Sequence, residues 1–146
     1  MAKVHAHAER TIGAPVEKVR ALVADYADTR PRILTEHYRD YEVVEGGTGA
    51  GTKAKWKLQA TSKRVRDVLA SVTEPAPGTL VETDANSTMV TTWTVSAAGD
   101  RTIVRIETTW EGASGMGGFF EKTFAPVGLK RIYDGVLDKL AELSVS

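Results

Sequence analysis

Hydrophobic and polar positions alternate from the start of the chain. Over residues 3–12, Val4, Ala6, Ala8 and Ile12 fall on one side and His5, His7, Glu9 and Thr11 on the other. That period of two is the signature of a half-buried β-strand. Gly13-Ala14-Pro15 ends the alternation, and Pro15 suits the opening turn of a helix, where a backbone N–H would have no intrahelical partner. Val16, Val19, Leu22 and Val23 then recur at helical spacing. A second short helix or irregular segment is expected between Tyr26 and Leu34, with Pro31 limiting its length.

From Tyr38 the period of two returns. Tyr38 to Glu45 reads as a strand ended by the turn Gly46-Gly-Thr-Gly-Ala-Gly51. In Lys53 to Ala60, Lys53, Lys55, Lys57 and Gln59 face one way, and Ala54, Trp56, Leu58 and Ala60 the other. The lysines therefore mark a solvated outer face and Trp56 points at the core. Further strands are predicted over Arg64–Thr73, Leu80–Ala85, Met89–Ser96 and Thr102–Trp110, the last with Val104, Ile106, Thr108 and Trp110 on one face. The turns between them, Glu74-Pro-Ala-Pro-Gly78, Asn86-Ser87 and Ala97-Ala-Gly-Asp100, come at hairpin spacing, which favours an antiparallel meander.

After Gly112-Ala-Ser-Gly-Met-Gly-Gly118 a helical run extends from about Phe119 to Leu143, interrupted by Pro126. Leu129, Ile132, Tyr133, Val136, Leu140 and Leu143 form an amphipathic stripe. Carried backwards at about 100° per residue, that stripe leaves Phe120, Phe124 and Val127 on the opposite side. The mismatch falls at Pro126 and reads as a bend that fits a curved sheet, in preference to a gate or a partner-binding face. The pattern predicts an α+β fold with a curved antiparallel sheet of about six or seven strands around a long C-terminal helix, two short helices after the first strand, and one domain over residues 1–146.

Composition removes several function classes. The 19 basic and 19 acidic residues leave a formal net charge of zero, which offers no long-range attraction for nucleic acid or an anionic membrane. The absence of cysteine excludes disulfides, thiolate nucleophiles and cysteine-based metal sites. The opening Met-Ala-Lys-Val-His-Ala-His has no apolar stretch of the signal-peptide kind, and no apolar run reaches membrane-spanning length, so a cytoplasmic protein is expected.

Candidate chemistry is sparse. His5 and His7 share a strand face, but it is the charged face and nothing nearby supplies further metal ligands, so they read as solvated. His37, between helix and strand, reads as a surface or capping residue. The first glycine run lies between strands and lacks the Lys-Ser/Thr ending of a phosphate-binding loop, and the second reads as a hinge. Arg64 and Arg66 read as continuing the basic outer face, whereas an inward Arg would mark a ligand carboxylate or phenolate. A single bulge would reverse that parity. Trp56, Trp93 and Trp110 occupy the apolar face of three different strands, where three crowded indoles would each need an N–H partner. They read equally as core or as the lining of a cavity between sheet and helix. The candidate cavity set is Trp56, Leu58, Met89, Trp93, Ile106, Thr108, Trp110, Phe120, Phe124 and Tyr133. Tyr133, Thr108, Tyr38 and Thr91 are the polar candidates for orienting a ligand.

The order of elements resembles the START/Bet v 1-like superfamily, also called SRPBCC or polyketide cyclase/dehydrase and lipid-transport proteins. The resemblance is carried by Ile12-Gly-Ala-Pro-Val-Glu-Lys-Val19, by Glu45-Gly-Gly-Thr-Gly-Ala-Gly-Thr52, and by Val72-Thr-Glu-Pro75 with Val81-Glu82 and Thr91-Thr-Trp-Thr-Val95. The tail from Phe120 through Ala125-Pro-Val-Gly-Leu-Lys-Arg-Ile-Tyr133 to Leu140 also looks like that of small bacterial members. The resemblance implies a helix-grip fold with an apolar cavity and a hydrophobic ligand of lipid or polyketide kind. No cofactor, no metal and no nucleic-acid partner is expected from the residues themselves, and the chain is expected to be a monomer or weak homodimer. Three functions follow as expectations: carriage of a hydrophobic small molecule, a polyketide cyclase or dehydratase, or an interaction module with a vestigial pocket. The second would draw on Arg66, His37, Glu107 or Tyr133, and the third on a patch at Phe119, Phe120 and Phe124.

Overall fold

The computed structural model describes residues 3–61, 64–111 and 116–146, and side chains outside 60–64 and 112–125. Its elements in chain order are β1 (Lys3–Ile12), α1 (Val16–Ala24), α2 (Thr29–Ile33), β2 (Tyr38–Glu45), β3 (Lys53–Thr61), β4 (Arg64–Ala76), β5 (Thr79–Asp84), β6 (Val90–Ala98), β7 (Arg101–Glu111) and α3 (Met116–Val145). All pairings are antiparallel, and the seven strands form one sheet in the order β1-β7-β6-β5-β4-β3-β2. Consecutive strands are neighbours from β2 to β7. Only β1 pairs out of sequence, with the last strand, and α1 and α2 connect it to β2 at the opposite edge of the sheet.

The period of two fixes which side chains face inward. Val4, Ala6, Ala8 and Ile12 of β1 are buried, as are Ala54, Trp56 and Leu58 of β3, Val68, Ala70 and Val72 of β4, and Val104, Ile106, Thr108 and Trp110 of β7. Against this concave face α3 buries Leu129, Ile132, Tyr133, Val136, Leu137 and Leu140. Val127, on the opposite side of α3, is 57% exposed, as the stripe predicts. Arg10 of β1 donates to the Asp138 carboxylate of α3, and Thr102 Oγ1 donates to the Ala14 carbonyl at 2.7 Å, tying the β1–α1 turn to β7. Among the described residues no helix is long and apolar enough to cross a membrane.

Three boundaries differ from the sequence pattern, each for a local reason. β4 continues through Pro75 to Ala76, because a register shift between Thr73 and Ala76 leaves the proline where no ladder N–H is needed. Met89 stands just outside β6, its amide donating to Ser87 Oγ at 3.1 Å. α3 is one helix through Pro126, without an interruption there. Pro31 lies inside α2, in the first turn, where its missing N–H costs nothing. Register shifts also occur in the β2–β3 and β3–β4 pairs, with Asp40 at φ 53° in the β2 irregularity. Such shifts bend strands and supply the curvature that lets one sheet reach around a helix.

The β4–β5 turn packs tightly against the sheet end. Gly78 has φ +82°, and a Cβ placed on it would stand 2.6 Å from both the Val95 carbonyl oxygen and Arg20 Nε. Gly78→Ala combines a left-handed backbone with a clash against main chain. It is expected to cost about 2 kcal/mol or more in chemical denaturation, and a change below about 0.5 kcal/mol would contradict this placement.

Candidate functional site

The alternation of β5 turns Leu80, Glu82 and Asp84 inward, so two carboxylates enter the core. Asp84 is consumed by the turn that follows: it accepts from the Leu69 and Asn86 amides at 2.9 and 3.0 Å and from Ser87 Oγ at 2.7 Å. Glu82 has another role. Its Oε2 accepts from Arg30 Nη1 at 2.8 Å and from the Tyr26 hydroxyl at 2.6 Å. Arg30 and Glu82 are each only 4% exposed, so this is a desolvated ion pair, and removing one partner alone would strand a buried charge at about 3–5 kcal/mol.

Arg30 reaches Glu82 from α2, a helix too short to hold itself. Asp25 anchors it, accepting from the Asp28 amide and from Thr29 Oγ1, both at 3.1 Å, while the Arg30 amide donates to the Asp25 carbonyl at 3.0 Å. The Asp28 amide, foremost, holds the Asp25 carboxyl below its usual range. The Arg30 guanidinium carbon lies over the Tyr26 ring at 4.3 Å and the Trp93 ring at 4.5 Å, an arrangement that favours a cation. Burial, the largest single influence, would lower the Arg30 pKa, but the Glu82 carboxylate together with the Tyr26 and Tyr41 hydroxyls makes the net direction upward.

A second polar line crosses from sheet to α3. Thr91 Oγ1 and Thr108 Oγ1 are 2.8 Å apart, and Thr108 is hydrogen-bonded in turn to the Tyr133 hydroxyl. Beyond these, Tyr41 stacks on Trp56 at 6.0 Å, Tyr38 meets the same indole edge-on at 6.4 Å, and the Tyr41 hydroxyl donates to the Tyr26 carbonyl at 2.6 Å.

These groups surround a cavity of about 20 Å³, enough for one water molecule. Its wall is Arg30, Leu34, Tyr38, Tyr41, Trp56, Leu58, Glu82, Met89, Thr91, Trp93, Ile106, Tyr133 and Val136. Two wall residues carry buried donors with no hydrogen-bond partner among the described residues, Arg30 Nη2 and Trp56 Nε1. The Trp110 N–H is likewise unpartnered, but Trp110 is not part of the wall.

Of the ten residues proposed from sequence, six stand in this wall: Trp56, Leu58, Met89, Trp93, Ile106 and Tyr133. Thr108 is buried one hydrogen bond behind it, and Trp110 is buried elsewhere in the core. The side chains of Phe120 and Phe124, and of Phe119, lie outside the described residues, as does 112–115 of the Gly112–Gly118 segment read as a hinge, while Met116 to Gly118 of that segment are the opening of α3 and not a hinge. Of the polar candidates, Tyr38, Thr91 and Tyr133 join the wall.

Two expectations need correction. Arg66 is not on the outer face: it pairs with inward Leu58, while outward Lys57 pairs with Asp67, so Arg66 has the parity of Val68 and Ala70. Even-numbered positions face inward on both strands, so the alternation of Ala54, Trp56 and Leu58 carried through the hairpin already gives Arg66 the inward side. Glu107, by contrast, is not inward but sits on the outer face with His5 and Arg105. His37 bonds Thr35 Oγ1 through Nδ1 at 2.9 Å and is not in the cavity wall. The His5 and His7 rings lie 5.2 Å apart, and no cluster of three metal-ligating side chains occurs among the described residues.

A curved antiparallel sheet gripping a long C-terminal helix, with two short helices closing one end, defines the helix-grip architecture of Bet v 1 and START-type proteins. The chain belongs to the family described as polyketide cyclase / dehydrase and lipid transport, whose model matches residues 3–145. It is similar over 100% of both chains to the solution structure of KanY, at 51% identity and a TM-score of 0.90. The protein TTHA0849 from Thermus thermophilus matches with 97% of each chain covered, at 21% identity and TM-score 0.78. The di-domain ARO/CYC protein BexL of the BE-7585A biosynthetic pathway matches 99% of this chain and 50% of its own, at 16% identity and TM-score 0.76. The last two likenesses show the fold alone. No match was found among curated protein sequences.

The four tyrosines, Tyr26, Tyr38, Tyr41 and Tyr133, all cluster around Arg30 and Glu82 or the cavity, and burial pushes each phenol above its usual 10. Tyr41 and Tyr133 each reach about 12. Because the folded chain holds these protons more tightly than the unfolded one, their contribution to stability is complete below pH 10. It is lost as pH rises through the folded values. Tyrosinate absorbance is therefore expected to stay near zero at pH 10 and to appear only near pH 12 or with unfolding. Two phenols titrating near 10 in the folded protein would contradict the burial described.

Proposed function

We propose that the chain binds and carries a hydrophobic small molecule between the concave face of the sheet and α3. The observation that carries this reading is the wall at that junction: mostly apolar and aromatic side chains interrupted by a few convergent polar groups, the composition of small-molecule sites. Affinity would come from apolar burial at about 25 cal/mol per Å², less the ordering cost of association. Orientation would come from Arg30, Tyr38, Thr91 and Tyr133.

The cavity is far smaller than the roughly 300–1,000 Å³ of drug-sized sites, so a ligand must displace part of its wall. Met89, an unbranched thioether, and Leu34, just beyond the end of α2, are the side chains to move at least cost. The ion pair and the aromatic rings around it would stay.

A second reading, cyclisation or dehydration in the same cavity, draws on the family description and on the protonated phenols of Tyr38, Tyr41 and Tyr133. Of these, Tyr38 can donate a hydrogen bond to a keto or enol oxygen, whereas the Tyr41 hydroxyl already donates to the Tyr26 carbonyl and the Tyr133 hydroxyl is engaged with Thr108. The one carboxylate among the described wall residues, Glu82, is already engaged by two donors, which leaves it poorly placed as a base and favours carriage.

Native mass spectrometry of freshly purified protein tests the reading. A hydrophobic molecule bound one-to-one and released on denaturation is the expected result. A bare protein that also shows no saturable thermal stabilisation by naphthalene-sized apolar compounds would overturn it.

A further inference from the structure

Away from the cavity, the solvent side of the sheet carries two of the chain's three histidines on its first strand. His5 and His7 alternate with buried Val4, Ala6 and Ala8, so both side chains stand on the outer face of β1, two residues apart. Their ring centroids are 5.2 Å apart, with the planes inclined at 40°. Two imidazoles that ligate one metal ion through nitrogens at about 2.0–2.1 Å, near a tetrahedral angle, place their ring centres about 5 Å apart. The pleat of β1 therefore already sets the spacing of a chelate.

The neighbouring strand supplies what the sequence does not show. His5 Nε2 is hydrogen-bonded to Glu107 Oε2 of β7. An ionised carboxylate only accepts, so in the neutral ring the proton sits on Nε2 and Nδ1 carries the free lone pair. A carboxylate behind a histidine in this way fixes the tautomer, orients the ring and raises its basicity as a metal ligand. Glu107 also accepts from Arg105 Nη2 at 3.4 Å, and Arg105 Nη1 reaches a Glu9 oxygen at 3.8 Å. Two carboxylates around one guanidinium leave an excess negative charge beside the rings, which favours a cation. Lys3, on the same face, stands opposite Glu111. The side chains of His5 and Glu107 are 44% and 37% exposed, so water has access to the remaining coordination positions. A closed site of three or four protein ligands is absent among the described residues, and the pair needs none to chelate.

We propose that His5 and His7 form a surface chelate for a borderline divalent cation of the zinc, nickel or copper kind, with Glu107 as the positioning residue behind His5 and water completing the coordination. Imidazole suits these ions, whereas magnesium and calcium prefer oxygen ligands. The site lies on the opposite side of the sheet from the cavity and is independent of the carriage reading.

Zinc titration of the untagged full chain at neutral pH, followed by calorimetry and by the imidazole nitrogen resonances, tests the site. One saturable equivalent is expected, with the His5 and His7 resonances shifting together and, before zinc is added, the Nε2–H tautomer at His5. His5→Asn and His7→Asn, both on the exposed face, are each expected to abolish that equivalent. Glu107→Gln is expected to weaken it about tenfold, and His37→Asn, at the remaining histidine, to leave it unchanged. No saturable binding below about 1 mM zinc, or binding that survives either variant of the pair, would overturn the site. Binding that needs both histidines but is indifferent to Glu107→Gln would overturn the positioning role alone.

Discussion

The ion pair between Arg30 and Glu82 is the constraint on which the site depends. It joins the shortest helix of the fold to the middle of the sheet, through two side chains that water does not reach. Neither charge is tolerable there alone, so the position of α2, the rotamer of Tyr26 and the spacing of Trp93 follow from satisfying both. The cost of burial is offset by the hydroxyl of Tyr26 and the faces of two rings, and one N–H edge is left over. A pair of this kind is weak evidence for stability. Its consequence here is a polar point fixed in an otherwise apolar wall.

The remainder of the architecture brings that wall together. Register shifts bend the sheet, and α3 lies in the bend with its apolar stripe against β1 and β3. Tyr133 on that stripe meets Thr108 and Thr91 through the second polar line, so the helix is positioned by specific hydrogen bonds as well as by hydrophobic contact. The two polar lines approach the cavity from different sides, one from α2 and β5 and the other from α3, β6 and β7. Between them the space is water-sized, with its polar groups already in place.

Much of the fold was legible in the chain because side-chain alternation is a local property. The Val4–Ile12 pattern, the Lys53–Lys57 outer face and the Val104–Trp110 inner face each survive into the structure without tertiary information. The wall residues Trp56, Trp93 and Tyr133 were legible for the same reason. The ion pair was not. Arg30 lies in a segment without a clear period, and Glu82 looks like a surface residue until its shared parity with Leu80 is followed inward. That parity was the available signal. Arg66 shares the even-numbered, inward parity of Ala54, Trp56 and Leu58, and Glu107 the parity opposite Ile106 and Thr108, so alternation followed strictly places both, and each was misplaced by weighing its charge above its position. The uninterrupted α3 reflects tertiary packing prevailing over the local penalty of Pro126.

The proposal that stands at the centre is carriage of a hydrophobic molecule in the cavity walled by Arg30, Trp56, Glu82 and Tyr133. A high-resolution crystal structure of the protein with whatever molecule accompanies it through purification tests it most directly. The expected result is that molecule between the sheet and α3, with the Arg30–Glu82 pair intact and Met89 or Leu34 displaced. A ligand bound elsewhere on the protein, or a broken Arg30–Glu82 pair, would contradict it.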